Sequence, residues 1–169
     1  MGSAGKRMAW LLLLTAGSAA ATPPEELVAR YAGTYEIDAL LAEPAVAEAL
    51  RRVAGDRVEQ IHRNLSVTGP VDLISGWLTV TGNAPHGGTE HEAVVCVRPE
   101  PLVVHAAVLE LGDIYVFASN EPYVNVALCV KDWITQVRSQ HVDRLRQPAG
   151  VTMVRGDQPA GTASSQPRD

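Results

Sequence analysis

The spacing of apolar residues changes near residue 69 of this 169-residue chain. Before that point, apolar residues recur every three or four positions, as they do on the buried face of an amphipathic helix. Proline and carboxylates near 24–26 and 43–44 are typical helix starts, and Gly33 and Gly55 are typical helix stops. We therefore predict four short helices, at residues 25–31, 37–41, 44–54 and 58–65.

The Gly69-Pro70 pair ends this helical region, and the period of the pattern then changes. Short runs rich in β-branched residues follow, separated by glycine, proline and aspartate, which is the pattern of strands joined by turns. We predict strands around residues 71–73, 77–80, 91–97, 102–111 and 114–118.

A long helix is predicted to close the domain. Asn120-Glu121-Pro122 marks its start, and we expect it to run to about Leu145. Its predicted buried face contains Val126, Val130, Trp133, Ile134 and Val137. Helices first, then a meander of four or five strands, then a long helix indicate an α+β domain. We expect the helices to cover one face or the edges of an antiparallel sheet.

Both ends of the chain differ from this central part. Lys6 and Arg7 precede a short apolar run and then the small residues 18–21, which is the order of a secretory signal peptide. The run is too short for a typical membrane anchor, although a retained anchor is an alternative. We predict a signal peptide at 1–21, one α+β domain at 22–146, and a disordered tail at 147–169 because of its polar, Pro- and Gly-rich composition. The mature protein is expected to be periplasmic or secreted, with no membrane contact after cleavage.

Net charge limits the partners of the protein. Without residues 1–21 the chain has twelve basic and nineteen acidic residues, a net charge of −7. An acidic exported protein is not expected to bind nucleic acid. The charge favours a basic partner, or it only aids solubility. The sequence leaves a homodimer open.

Two cysteines, Cys96 and Cys129, both lie in apolar runs. In an oxidising compartment they are able to pair, and the bridge is the favoured interpretation. The alternative is two buried thiols that pack as small apolar side chains. The chain contains no C-x-x-C pair, so neither a redox motif nor a thiolate zinc site is supported.

No catalytic motif or cofactor fingerprint is present, and we predict neither an enzyme nor a cofactor. The chain contains no G-x-S-x-G, P-loop or dinucleotide motif. His86, Glu90, His91 and Glu92 fall within seven residues, and their atoms are suitable zinc ligands. Neighbouring residues of a strand point to opposite faces, however, so we predict no metal site. A small exported metal-binding protein or enzyme that uses His86, Glu90 and His91 remains the alternative.

The candidate binding element is the segment between the predicted strands 77–80 and 91–97. Because apolar alternating segments flank it, we expect a protruding hairpin loop that carries one imidazole. Its residues are Asn83, Ala84, Pro85, His86, Gly87 and Gly88.

This segment resembles the marker of the inhibitor-of-vertebrate-lysozyme family, in which C-x-P-H-x-C lies between two strands. Pro85 and His86 match the central pair, whereas Asn83 and Gly88 stand at the positions of the two cysteines. The opening helices with Pro44 and the closing helix with Trp133 resemble the family in outline, so that the resemblance covers about residues 35–134.

The resemblance implies an exported, non-catalytic inhibitor whose loop enters the active-site cleft of a lysozyme or another peptidoglycan-cleaving enzyme. His86 would meet the catalytic carboxylates, and Pro85 would support it. The two missing cysteines and the Gly87-Gly88 pair lead us to expect a more mobile loop, which an Asx-type hydrogen bond of Asn83 would partly brace. Other possibilities are a binding domain of the cell envelope and an ordinary glycine-rich hairpin without an inhibitory role.

Overall fold

The structure, a computed structural model, describes residues 23–88, 90–119, 121–141, 143, 145 and 150–154. The predicted signal peptide at 1–21 and residues 147–149 and 155–169 of the predicted tail lie outside the described residues. None of the described helices is long and apolar enough to cross a membrane.

Four short helices precede the sheet, as the apolar spacing predicts. They are α1 (Pro24–Tyr31), α2 (Ile37–Ala42), α3 (Pro44–Ala54) and α4 (Val58–Asn64), and the closing helix is α5 (Leu128–Gln140). Pro44 occupies the first turn of α3, where the missing N–H costs no hydrogen bond. Gly55 caps α3 with a φ of 52°, which glycine adopts without a steric penalty. Two short 3₁₀ helices lie at Gly55–Arg57 and Tyr123–Asn125.

The described strands form one mixed sheet of seven. They are β1 (Val67–Thr68), β2 (Asp72–Ile74), β3 (Trp77–Asn83), β4 (His91–Arg98), β5 (Val103–Glu110), β6 (Asp113–Phe117) and β7 (Val151–Val154). The order is β1-β3-β4-β5-β6-β7, and β2 also pairs with β3. Every pairing is antiparallel except that of β6 with β7, which is parallel. The predicted α+β class is confirmed, and the short β1 and the distant β7 extend the predicted meander.

Helices cover both faces of the sheet, which goes beyond the expected cover of one face or the edges. On β4, Ala93, Val95 and Val97 belong to a core that includes residues of α1 to α4. Val94 and Cys96 belong to a second core, which includes residues of α5. Because both faces of β4 are buried, this strand reads as a continuous apolar run rather than as an alternation.

A disulfide bond between Cys96 and Cys129 links the central strand β4 to the first turn of α5. The pairing expected in an oxidising compartment is therefore confirmed in the structure. Both cysteines are buried, so the bond forms part of the core between the sheet and α5.

The closing helix is shorter than predicted at both ends. Its start is shifted because the Ala127 N–H donates a hydrogen bond to His105 Nδ1 on β5, at 3.0 Å, which holds the chain extended at that point. Val126 is buried as predicted but precedes the helix. The helix ends at Gln140 rather than near Leu145. The next residue, His141, leaves helical geometry and contacts Glu92 on β4.

The predicted disorder of the tail is wrong for Val151–Val154. These four residues form β7 and pair in parallel with β6, from Ile114 opposite Val151 to Phe117 opposite Val154. The composition of residues 147–169 is polar on average, and that average conceals one short apolar run that is able to extend a sheet.

Removal of the disulfide should destabilise the protein strongly. The two cysteines are separated by 33 positions, so the bond removes substantial loop entropy from the unfolded chain. We expect the double variant Cys96→Ala/Cys129→Ala to lose about 3–4 kcal/mol of unfolding free energy. Urea denaturation of both proteins under oxidising conditions measures this difference. Equal stability of the two proteins would show that the bond is dispensable.

Candidate functional site

The loop between β3 and β4 is closed by backbone hydrogen bonds. The Ala84 N–H donates to the His91 carbonyl oxygen at 2.9 Å, directly after the last residues of the β3–β4 ladder. The Gly87 N–H donates to the Ala84 carbonyl oxygen, also at 2.9 Å, which closes a β-turn with Pro85 and His86 at its centre. Ala84 is buried, whereas Pro85 and His86 are exposed. The turn therefore presents its two central side chains to solvent.

His86 has a φ of +61°, in the left-handed region. A turn with proline at its second position and a positive φ at its third is of type II, and glycine or asparagine is the usual residue there. Histidine tolerates this conformation better than most residues do. None of the described residues forms a hydrogen bond or an ion pair with the His86 ring. The imidazole is thus held outward by the backbone and remains available to a partner.

Gly87 lies in a position where a side chain would be tightly packed. A Cβ atom there would lie 3.2 Å from atoms of both Ala84 and His91, which is closer than ordinary contacts. Its carbonyl oxygen accepts hydrogen bonds from the N–H groups of Glu90, at 3.0 Å, and His91, at 2.8 Å. These contacts brace the loop, whereas the glycine pair in the sequence leads one to expect a loose one. Gly87 serves close packing.

Asn83 and Gly88, at the positions of the family's two cysteines, lie side by side. The Asn83 side-chain amide donates to the Ala84 carbonyl oxygen at 2.9 Å, so Asn83 braces the backbone, although not through the expected Asx-type bond. A Cβ atom on Gly88 would lie 3.9 Å from Asn83 Cβ. Disulfide bonds span Cβ–Cβ distances of about 3.5–4.5 Å. The loop therefore keeps the spacing of a disulfide-closed loop without the covalent bond.

A polar network supports the loop from the side of the N-terminal helices. His91 Nδ1 lies 3.0 Å from Glu110 Oε2, and the Gln60 side-chain amide donates to the same oxygen at 2.6 Å. Burial raises the pKa of Glu110, but the hydrogen bonds from His91 and Gln60 outweigh it, with help from the charges of His91 and Arg63. The net effect lowers the pKa of Glu110 below its usual value and keeps the carboxylate charged.

Glu92 faces the opposite side of the sheet. Its carboxylate Oε1 lies 2.7 Å from His141 Nε2, directly after α5. Burial raises the pKa of Glu92, and the hydrogen bond with His141 and its charge offset part of this rise. This pair ties the C-terminal end of α5 to the start of β4.

The structure separates the residues that were considered as metal ligands. His91 and Glu92 contact different partners on opposite faces of the sheet, while His86 and Glu90 are exposed. Among the described residues, no group of three or more His, Cys, Asp or Glu side chains is placed to hold a metal ion. This arrangement gives the metal-site alternative no geometric support.

Two further histidines have structural partners. His105 is buried, accepts the Ala127 hydrogen bond and lies against Trp77 with ring centroids 5.4 Å apart, so it is part of the core. Burial lowers the pKa of His105. His141, the partner of Glu92, is nearly buried, since only about a tenth of its side chain is exposed.

Glu110 was missed as a support of the loop, although one sequence signal was available. In an antiparallel meander the end of β5 returns beside the start of β4, and the observed register places Glu110 opposite His91. Gln60 and His141 have no such signal, because their contacts depend on how the helices pack against the sheet.

A comparison with protein-family models identifies the group to which this fold and loop belong. The model described as inhibitor of vertebrate lysozyme (Ivy) matches residues 45–140, more than half of the chain. This protein belongs to the Ivy family. No curated protein and no solved structure matches the chain. The match runs from α3 to the end of α5 and includes the whole Pro85–His86 loop. The resemblance seen in the sequence is therefore confirmed for the family.

The spacing of Asn83 and Gly88 predicts that cysteines at both positions will form a disulfide bond. We expect the double variant Asn83→Cys/Gly88→Cys to form it in air, because the Cβ separation is suitable and Gly88 has no positive φ. Thiol titration of the denatured, oxidised double variant should detect no free thiol, whereas the single variant Asn83→Cys should show one. Two titratable thiols in the double variant would contradict the described loop geometry.

The lowered pKa of Glu110 predicts a pH-dependent contribution to stability. A carboxyl group with a lowered pKa in the folded state stabilises the fold above its usual value of 4.5, and this contribution is lost as the pH falls through the lowered pKa. We expect Glu110→Gln to cost about 1–2 kcal/mol at pH 7, and less below pH 4.

Urea denaturation of this variant and the native protein at pH 7 and pH 3 measures the effect. Glu48→Gln is the matched control, because within the described part of the chain Glu48 forms exposed ion pairs with Arg51 and Arg52 alone, so that its replacement should change stability little. A cost for Glu110→Gln that is the same at both pH values would mean that the charge is not its cause.

Proposed function

We propose that this protein is an exported inhibitor of lysozyme-type muramidases and that its Pro85–His86 loop enters the active-site cleft of the enzyme. The observation that carries this proposal is the exposed His86 ring at the centre of a braced β-turn. Membership of the Ivy family supports inhibition as the type of function. The predicted signal peptide supports export.

The chemistry of a muramidase site suits an imidazole. Enzymes of this type cleave the glycosidic bond with two carboxyl groups, of which one is protonated and the other is charged. A neutral imidazole is able to donate to the charged group and accept from the protonated one. A protonated imidazole pairs with carboxylates through stronger, charge-assisted hydrogen bonds. His86 has the donor and acceptor pattern for either arrangement.

The bracing of the loop favours tight binding. A loop that is already ordered loses less conformational entropy when it enters a cleft. Hydrogen bonds from Gly87, Glu90, His91 and the Asn83 side chain supply this order in the free protein. The loop therefore has a physical substitute for the covalent brace of its family.

The charge of the mature chain favours encounter with a basic enzyme. Nineteen acidic and twelve basic residues remain after the predicted cleavage. Complementary charge mainly raises the association rate, and this effect weakens as salt is added. Basic lysozymes fit this charge, and another peptidoglycan-cleaving enzyme with an acidic cleft and a basic surface is the second target class.

Replacement of His86 should weaken inhibition strongly while the fold remains intact. We expect His86→Ala to weaken inhibition of an animal lysozyme roughly 10- to 100-fold, since each hydrogen bond to a charged group contributes about 1.5–3 kcal/mol. His86→Asn should weaken inhibition to the same extent. Asparagine is compatible with the left-handed backbone at this position, so this variant tests the imidazole without disturbing the turn. The measurement is residual muramidase activity at increasing inhibitor concentration.

The matched control is His62→Ala, which removes a partly exposed histidine on α4, outside the loop. It should inhibit like the native protein. Full inhibition by both His86 variants would exclude the loop mechanism. A native protein that inhibits neither an animal lysozyme nor a bacterial muramidase would reject the proposed function itself.

A further inference from the structure

A second turn lies beside the Pro85–His86 loop. Leu111 and Gly112 form the two-residue hairpin turn between β5 and β6, because Glu110 pairs with Asp113. The Leu111 N–H donates to the Glu90 carbonyl oxygen in the loop at 3.0 Å. The turn and the loop are therefore joined by a hydrogen bond at this end of the sheet.

Leu111 is an unfavourable residue for its position. Its φ is +49° and that of Gly112 is +89°. Positive φ at both central residues defines a type I′ turn, for which asparagine, aspartate and glycine are strongly preferred at the first position. A leucine side chain makes the left-handed conformation costly. More than half of the side chain, 56 %, is also exposed to water.

The same chain contains a second turn with the same φ pattern. Ser75 and Gly76 connect β2 to β3 with φ values of +51° and +80°, and Ile74 pairs with Trp77. This turn lies at the opposite end of β3 from the loop. There the first position holds a short polar side chain, which suits a turn. Of these two turns, the one that adjoins the loop holds the unfavourable leucine, and the distant one holds a serine.

Leu111 makes no compensating contribution to the core. It belongs to neither of the two buried clusters that pack against the faces of the sheet. Backbone strain and an exposed apolar side chain both burden the free protein, and strain of this kind is typical of binding sites. Clefts that bind ligands are lined largely by apolar and aromatic side chains, against which leucine is able to pack.

We propose that Leu111 is a second contact with the inhibited muramidase, an apolar anchor that packs on the rim of the cleft while His86 enters it. This inference rests on the proposed function and assigns a second residue to the same interface. Continuity with the loop through the Leu111–Glu90 hydrogen bond specifies the partner as the enzyme that binds the loop.

The test compares three variants by inhibition of the same lysozyme. Leu111→Asn removes the apolar side chain and suits the left-handed backbone, so we expect a folded protein with about tenfold weaker inhibition. Leu111→Met keeps an apolar side chain of similar volume and should inhibit within about threefold of the native protein. Leu73→Asn is the matched control, because Leu73 is 50 % exposed on β2, whose hairpin turn lies at the other end of β3, and should change nothing.

The outcomes separate this inference from the proposed function. If Leu111→Asn inhibits as well as the native protein while His86→Ala does not, the anchor is rejected and the loop mechanism stands. If Leu111→Asn and Leu73→Asn weaken inhibition equally, the effect is not specific to this turn and the anchor is also rejected. A native protein without inhibitory activity would overturn both proposals. Circular dichroism and urea denaturation of each variant verify that it is folded.

Discussion

The pairing of β3 with β4 is the constraint on which the candidate site depends. Its register, from Leu78 opposite Val97 to Asn83 opposite Glu92, determines where the loop begins and ends. The same register directs His91 toward Glu110 on one face of the sheet. It directs Glu92 toward His141 on the other face. A shift of one residue would exchange the faces of every side chain on the strand. It would also separate the groups that close the loop, so the presentation of His86 follows from the packing of the whole sheet.

The core and the Pro85–His86 loop are stabilised by different kinds of interaction. The covalent bond lies in the core, where Cys96 and Cys129 connect β4 to α5. The loop is held instead by backbone hydrogen bonds, by the Asn83 side chain and by the close approach of Gly87 to His91. A disulfide acts mainly on the unfolded chain, whereas these hydrogen bonds act only in the folded one. The order of the loop is consequently tied to the stability of the sheet beneath it.

The sequence predicts those features whose causes are local. Pro44 and Gly55 delimit α3, the β-branched run predicts β4, and the proline, histidine and glycines predict an exposed loop. Features that depend on distant contacts were missed. The start of α5 is determined by a hydrogen bond to His105, and β7 exists because β6 offers it an edge. The contact of Gln60 with Glu110 spans 50 positions and leaves no periodic signal in the sequence.

Four of the described residues other than glycine have a positive φ, namely Ser75, His86, Leu111 and Ser119. Two of them are serines. Of the other two, His86 lies in the loop, and Leu111 lies in the turn that donates a hydrogen bond to Glu90 of the same loop. Histidine and leucine at these positions both cost stability relative to glycine or asparagine. That cost is independent of any partner, while complementary contacts with a partner are able to offset it on binding. Under the proposed function, contacts of His86 and Leu111 with the muramidase would supply this offset.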